Sequence, residues 1–199
     1  MIPFFLSMTL AFFIGSIPTA FLAGKIFRGI DIRLHGSGNS GATNAYRVLG
    51  GRIGALVFVI DFLKGFLTSI FLRHFVPWVN FDAKEAGLIL GLAAILGHVF
   101  TPFLGFKGGK GIATGAGVLC GMFPLLFLVV FGTWILVFSL TRIVSLSSLL
   151  SMSVLVTASL ITRTKLITIL VFLTAFLLTI WTHRSNISRL LKGTENKIG

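Results

Sequence analysis

A chain of 199 residues that is 55% hydrophobic and only 11% charged carries more apolar surface than one soluble core absorbs, since soluble domains average about 25% charged residues. Its mean hydropathy of +1.01 points to a bilayer as the solvent. The formal net charge of +12 would indicate nucleic acid in a soluble protein; here the cations lie in short stretches between apolar runs, which favours anionic lipid or a phosphorylated substrate and argues against nucleic acid.

The chain begins in an apolar run with no basic segment before it and no small-residue cleavage site, so this run reads as a first span and not as a signal peptide. At about 20 apolar residues per crossing, fewer for a short helix, the spans fall at 3–24, 53–72, 86–104, 112–120, 124–140, 146–161 and 166–181. The stretch 112–140 is too long for one crossing, at about 44 Å and 1.5 Å per residue, and Gly121-Met122-Phe123-Pro124 offers the break. Charge balance favours that break. Seven spans with the N-terminus outside leave twelve Lys and Arg inside against four outside, namely Arg73, Lys84, Arg163 and Lys165. Without the break the balance is nine against seven, a much weaker positive-inside bias. The expected fold is therefore an all-α integral membrane protein of seven transmembrane helices, N-terminus outside and C-terminus cytoplasmic, forming a single polytopic domain over 1–199. Pro77 and Trp78 occupy a short outer loop, where an interfacial aromatic belongs.

Three polar segments share the cytoplasmic side in this arrangement: 36–47, 97–111 and 183–197. The first, between two apolar spans, holds Ser37, Gly38, Asn39, Gly41, Ala42, Thr43, Asn44 and Arg47. Its glycines let backbone N–H groups approach a ligand, and its hydroxyls, amides and guanidinium suit phosphate. Gly36-Ser37-Gly38-Asn39-Ser40-Gly41 matches G-x-G-x-x-G by letter, but no strand precedes it and no βαβ unit fits between two spans; a backbone nest for an anion is the better reading. The second segment presents Lys107, Gly108, Gly109 and Lys110 before a helix start. It is no Walker loop, because Leu104 and Gly111 stand at defining positions, yet two lysines at a helix N-terminus form a phosphate site. In the third, His183, Asn186 and Arg189 recur at i, i+3 and i+6 and share a broad helix face. Ser145, in a short cytoplasmic turn, either contacts ligand or caps a helix.

Within the second span, Asp61 and Lys64 sit one turn apart and can pair, either as a brace or as part of a cavity lining. His98 lies near the cytoplasmic end of the third span, where it either orients the following loop or is structural. The four histidines show no metal-ligand spacing, and Cys120 is a lone residue in an apolar run. No metal or other cofactor is expected.

These motifs in combination resemble the bacterial acyl-phosphate:glycerol-3-phosphate acyltransferases, the PlsY family. The resemblance is carried by 36–44 with Arg47, by Gly97-His98 through Phe106–Gly111, by His183-Arg184 with Asn186-Ile187 and Gly193-Thr194-Glu195, and by Asp61 with Lys64-Gly65. The sequence departs from that pattern at Ser40, Thr101-Pro102 and Ser185. The resemblance implies seven helices and transfer of a fatty acyl group from acyl phosphate to the 1-hydroxyl of glycerol 3-phosphate at the bacterial inner membrane. It further implies that Ser37, Thr43, Asn44, Arg47 and Lys107 bind phosphate while His183 and Asn186 hold glycerol 3-phosphate. The H-x-x-x-x-D dyad of thioester-using glycerolipid acyltransferases is absent: Ser40, Val79, Phe103 and Ser188 occupy the fifth positions after the histidines. Arg47, Lys107 and His183 are the expected catalytic groups, with His183 or a substrate phosphate as the base. Acyl phosphate, glycerol 3-phosphate and membrane lipid are the expected partners, with no obligate protein. The rival reading is a transporter for a phosphorylated solute, which midspan charges and glycine-broken helices would suit.

Overall fold

The structure is a computed structural model that describes residues 2–75 and 82–198, so Pro77 and Trp78 lie outside the described residues. Every regular element among them is helical. The chain divides into two compact units, 1–122 and 123–199.

The first unit contains α1 (Ile2–Ser16), α2 (Thr19–Arg28), α3 (Ala42–Leu49), α4 (Gly51–Phe71), α5 (Ala83–Val99) and α6 (Ile112–Met122). Its helices pack through small residues, because in lipid close backbone approach replaces hydrophobic burial as the main source of helix attraction. A methyl group on Gly15 or Gly97 would strike the backbone of Ala94 or Phe12, which fastens α1 to α5; Gly65 and Gly117 meet the backbones of Thr114 and Phe62 in the same way, fastening α4 to α6. α5 opens with a reciprocal cap: Asp82 accepts from the Lys84 and Glu85 amides while Glu85 accepts from the Asp82 amide, which satisfies donors that a helix start leaves unpaired.

The expected first span is broken. Pro18 has no amide hydrogen and cannot continue the helix, so α1 stops at Ser16 and α2 restarts at Thr19. The expected loop before the second span also contains a helix, α3. At the other end of the unit the expected break is present: α6 ends at Met122 and the next helix starts with Pro124, where a missing amide hydrogen costs nothing.

The second unit contains α7 (Pro124–Thr141), α8 (Val144–Ile161), α9 (Leu166–Thr182) and α10 (Arg184–Leu191). Phe127, Phe131, Trp134 and Phe138 stack along α7, with successive centroids 5.3, 6.5 and 5.1 Å apart. Trp134 donates its indole N–H to Ser148 of α8 at 3.2 Å. Ser147, Ser148 and Ser151 of α8 donate to the carbonyls of Ile143, Val144 and Ser147 one turn back, so these hydroxyl hydrogens are spent inside the helix.

Among the described residues, five stretches are long and apolar enough to cross a membrane: Pro3–Arg28, Gly51–His74, Ala83–Leu104, Pro124–Thr141 and Val144–Ile161. The pair α9 and α10, bent by 62°, makes a sixth if it is counted as one span, and α6 is apolar but short.

Candidate functional site

In the first unit the 36–47 segment is organised by Asn44, which is 1% exposed. Its Oδ1 accepts the Ser37 amide hydrogen at 2.8 Å, and its Nδ2 donates to the carbonyls of Ile32 and His35 at 3.1 and 3.0 Å. The expected ligand group is thus occupied in bracing the loop. Gly36 turns there with a φ of 61°, and a Cβ on it would collide with the Asn44 amide. Just upstream, Asp31 accepts from the Arg33 amide and guanidinium, the shortest contact being 2.7 Å. The Arg33 hydrogen bond outweighs burial and holds the Asp31 pKa at about 2. α3 then starts at Ala42 behind Gly41 with no side-chain cap; the Asn44 amide turns back to the Gly41 carbonyl, which leaves the N–H groups of Ala42 and Thr43 for another acceptor. Thr43 and Arg47 lie one turn apart on this helix.

The 97–111 segment folds back on the end of α5. The Gly108 amide donates to the Val99 carbonyl at 2.9 Å and the Gly109 amide to the His98 carbonyl at 3.1 Å. A side chain on Gly108 would strike the His98 carbonyl, and one on Gly109 the His98 ring. What these glycines contribute is closeness, since their amides are already bonded. Lys107 is exposed and Lys110 half-buried.

Both segments reach one narrow polar recess, lined by Ser16, Ile17, Pro18, Thr19, Ser40, His98, Thr101, Gly108 and Gly109. Of the expected ligand residues it takes Gly108 and Gly109; Ser37, Thr43, Arg47, Lys107 and Lys110 are not among its lining. Ser16, Thr19 and Thr101 were invisible as site residues from the sequence. The one clue was Pro18 inside an apolar span.

Behind the recess, Asp61 and Lys64 form the pair expected from their spacing, 2.7 Å apart and almost fully buried. Lys64 Nζ also donates to the Ile17 carbonyl and to Thr19 Oγ1. Thr19 in turn donates to Asp61 Oδ1 at 2.9 Å, and His98 Nδ1 stands 3.7 Å from the same oxygen.

In the second unit His183 closes α9 and begins α10, 2% exposed. Its Nδ1 lies 2.9 Å from the Thr179 carbonyl. A carbonyl only accepts, so Nδ1 carries the hydrogen and Nε2 the lone pair of the neutral ring. Glu195, unassigned a role by the sequence, gathers the rest. It accepts from Ser145 at 3.0 Å, from Arg189 at 2.7 Å and from Asn186. Burial raises its pKa, but hydrogen bonds from Asn186, Arg189 and Ser145 prevail and leave it below the usual glutamate value. The Ser145 hydroxyl therefore neither caps α8, whose N-cap residue Ile143 makes no side-chain bond, nor stands apart from the carboxylate. Among the described residues no three His, Cys, Asp or Glu side chains cluster closely enough to hold a metal ion.

The sequence model of the family described as glycerol-3-phosphate acyltransferase matches residues 5–193. The chain is 43% identical to the glycerol-3-phosphate acyltransferase of Fusobacterium nucleatum, covering 98% of this chain and 97% of that one. It is 39% identical to that of Chlorobaculum parvum, covering 100% and 97%. Among solved structures it is similar to PlsY, an integral membrane glycerol 3-phosphate acyltransferase, in its glycerol 3-phosphate form, with a TM-score of 0.88, 34% identity, and 98% and 96% of the two chains covered. The lysophosphatidic acid form of PlsY gives a TM-score of 0.87 at the same identity, covering 98% and 95%. An all-helical chain with apolar spans, matched over nearly its whole length by this family's sequences and by its solved integral membrane structure, belongs to the glycerol-3-phosphate acyltransferase family, the PlsY family.

Proposed function

We propose that this protein moves a fatty acyl group from acyl phosphate to the 1-hydroxyl of glycerol 3-phosphate, giving lysophosphatidic acid and inorganic phosphate, the first step of phospholipid synthesis. One observation carries the acceptor and product: the PlsY structures similar over 98% of this chain are described in a glycerol 3-phosphate form and a lysophosphatidic acid form. The chemistry of the residues supports acyl phosphate as the donor. His183 Nδ1 donates to a backbone carbonyl, so this bond lacks the carboxylate that strengthens the base of a Ser-His-Asp arrangement. A mixed anhydride with phosphate as leaving group needs less base assistance than a thioester.

In the proposed step the 1-hydroxyl oxygen bonds to the acyl carbon and the bond from that carbon to the phosphate oxygen breaks. The hydroxyl proton passes to a substrate phosphate oxygen, with His183 Nε2 as the alternative acceptor. Arg47 and Lys107 neutralise the departing phosphate, and Ser37, Thr43 and the first-turn amides of α3 hold a phosphate group. Asn186 helps to hold glycerol 3-phosphate. Catalysis then rests on position and charge stabilisation.

The same reading has seven crossings, an outside N-terminus and a cytoplasmic active site in the bacterial inner membrane. The distribution of Lys and Arg supports it. It requires α6, about 16 Å long at 1.5 Å per residue, to count as a crossing, which suits a short span at a thinned bilayer. No cofactor and no obligate protein partner enter the proposal.

The test is to mix the purified protein with glycerol 3-phosphate and either acyl phosphate or an acyl thioester, and to measure lysophosphatidic acid and phosphate. Equimolar formation of both products from acyl phosphate alone is expected. Product from the thioester alone would overturn the donor assignment, and vesicle uptake of glycerol 3-phosphate without covalent change would mark a transporter instead.

A further inference from the structure

A helix broken inside an apolar span, with a charged pair buried beside it, is a costly arrangement. Irregular backbone at membrane depth persists only where protein groups satisfy it or where it lines a cavity, and intramembrane charges are retained mainly for function. Both conditions meet at residues 16–19. The helix stops before Pro18, and two distant side chains reach the carbonyls at the break, that of Ile17 taking the Thr19 amide as well. Thr101 Oγ1, 2% exposed, donates to the Ser16 carbonyl at 2.6 Å. Lys64 Nζ donates to the Ile17 carbonyl, to Thr19 and to Asp61, so each of its three protons has an acceptor.

We propose that Thr101, Lys64, Asp61 and Thr19 are positioning residues: together they lock the unwound turn 16–19 into one shape, and that turn is the wall against which Ser40 and Gly108–Gly109 are set. The inference rests on the proposed reading of the 36–47 and 97–111 segments as the part of the site that holds the phosphate groups of the two substrates, glycerol 3-phosphate included. The same residues that stitch the break also face the recess, for Ser16, Thr19, Thr101 and His98 line it beside Ser40, Gly108 and Gly109. His98 links the two layers. Its Nδ1 approaches Asp61 at 3.7 Å, while its carbonyl receives the Gly109 amide and its ring lies against Gly109. A shift in the turn would therefore be transmitted to the loop that carries Lys107 and Lys110.

Thr101→Val removes the hydroxyl at nearly constant volume and leaves every charge in place. Thr101→Ser keeps the hydroxyl. The paired change Asp61→Asn with Lys64→Met removes the charges together, so neither partner is left buried alone. Each full-length variant is purified in detergent, checked for helical content and monodispersity, and assayed with acyl phosphate and varied glycerol 3-phosphate.

Thr101→Val is expected to raise KM for glycerol 3-phosphate about tenfold, less than the roughly hundredfold that a full 1 Å misplacement can cost, with a smaller change in kcat. Thr101→Ser should restore KM to within about twofold. The paired variant should shift KM in the same direction. Amide hydrogen exchange in 16–19 and 106–111 should be faster in Thr101→Val than in the wild type. A purely structural role would lower the yield of folded enzyme and leave KM untouched. Folded Thr101→Val and paired variants with wild-type KM and wild-type exchange would overturn the inference, as would a Thr101→Ser enzyme as impaired as Thr101→Val. A wild-type protein that forms no lysophosphatidic acid overturns the proposed reaction instead; the exchange comparison then still decides whether the stitch holds the recess.

Discussion

Asn44 Oδ1 accepts the Ser37 amide hydrogen at 2.8 Å, across seven residues of loop. With its Nδ2 donating to two carbonyls on the far side, the one side chain ties both ends of the turn. Asn44→Ala leaves the buried Ile32 carbonyl and the part-buried Ser37 amide and His35 carbonyl without this partner, at roughly 1–3 kcal/mol for a group that water cannot reach. Asn44→Asp keeps the acceptor for Ser37 but turns an acceptor toward the Ile32 and His35 carbonyls, and it is expected to be the less stable of the two. Thermal unfolding and amide exchange across 32–41 check the order, and an Asp variant as stable as wild type would refute the bracing role.

Gly109 is closely confined in the second segment. Its place against the His98 ring leaves no room for a methyl group, so Gly109→Ala must push the ring or the loop. Loss of at least about tenfold in kcat/KM is expected, since such shifts are of ångström size, with helical content unchanged. Gly132→Ala on α7 is the control, because nothing lies within 4 Å of its added Cβ. It should retain full activity.

Glu195 gives the second unit a pH dependence whose sign follows from its lowered pKa. A carboxyl whose folded pKa lies below the ordinary 4.5 contributes stability that is fully present above that value and is lost as pH falls through the folded pKa. Glu195→Gln removes the charge that Arg189 and Asn186 address. The difference in Tm between wild type and Glu195→Gln is therefore expected to be full at pH 7 and to vanish in acid below the glutamate range. At neutral pH it should correspond to about 1.5–3 kcal/mol, the worth of a hydrogen bond to a charged group. A difference that persists unchanged into strong acid would contradict the assignment.

For His183, the hydrogen on Nδ1 is committed to the Thr179 carbonyl. If Nε2 holds the acceptor and a substrate phosphate takes the proton, His183→Ala should raise KM for glycerol 3-phosphate by about 10–100-fold, the value of one hydrogen bond to a charged or polar partner, more than it lowers kcat. A fall in kcat of several orders of magnitude at constant KM would instead make the histidine the base. Steady-state kinetics with varied acceptor separate the two.

The sequence carried the parts of this structure that depend on neighbours along one helix. Asp61 and Lys64, three residues apart, pair as their spacing demands. Asn186 and Arg189, also three apart, reach the same carboxylate. Gly121 and Pro124 flag the junction where α6 gives way to α7. What periodicity does not encode is the satisfaction of a broken backbone by remote groups. Thr101 serves Ser16 from 85 positions away and Lys64 serves Ile17 from 47, and neither pairing leaves a trace in the pattern of apolar residues. The α3 helix was hidden for a different reason: at eight residues, with Ala45 and Leu49 buried, its amphipathic pattern is too short to stand out from a polar loop. Glu195 belongs to the Gly193-Thr194-Glu195 motif that carries the resemblance but had no assigned task, because only folding brings the tail to Ser145.

The glycine contacts of the first unit have a consequence for the fluid around it. Where Gly15 meets Ala94 and Gly117 meets Phe62, helix touches helix with no compliant cushion between them, so lateral pressure from the surrounding fatty chains finds little there to squeeze. The α1–α5 contact ends beside the recess at Ser16 and His98, so the recess is expected to keep its dimensions when the membrane stiffens in the cold or loosens with heat. An enzyme that makes the precursors of its own solvent would then be insulated from the variations in viscosity that its output creates.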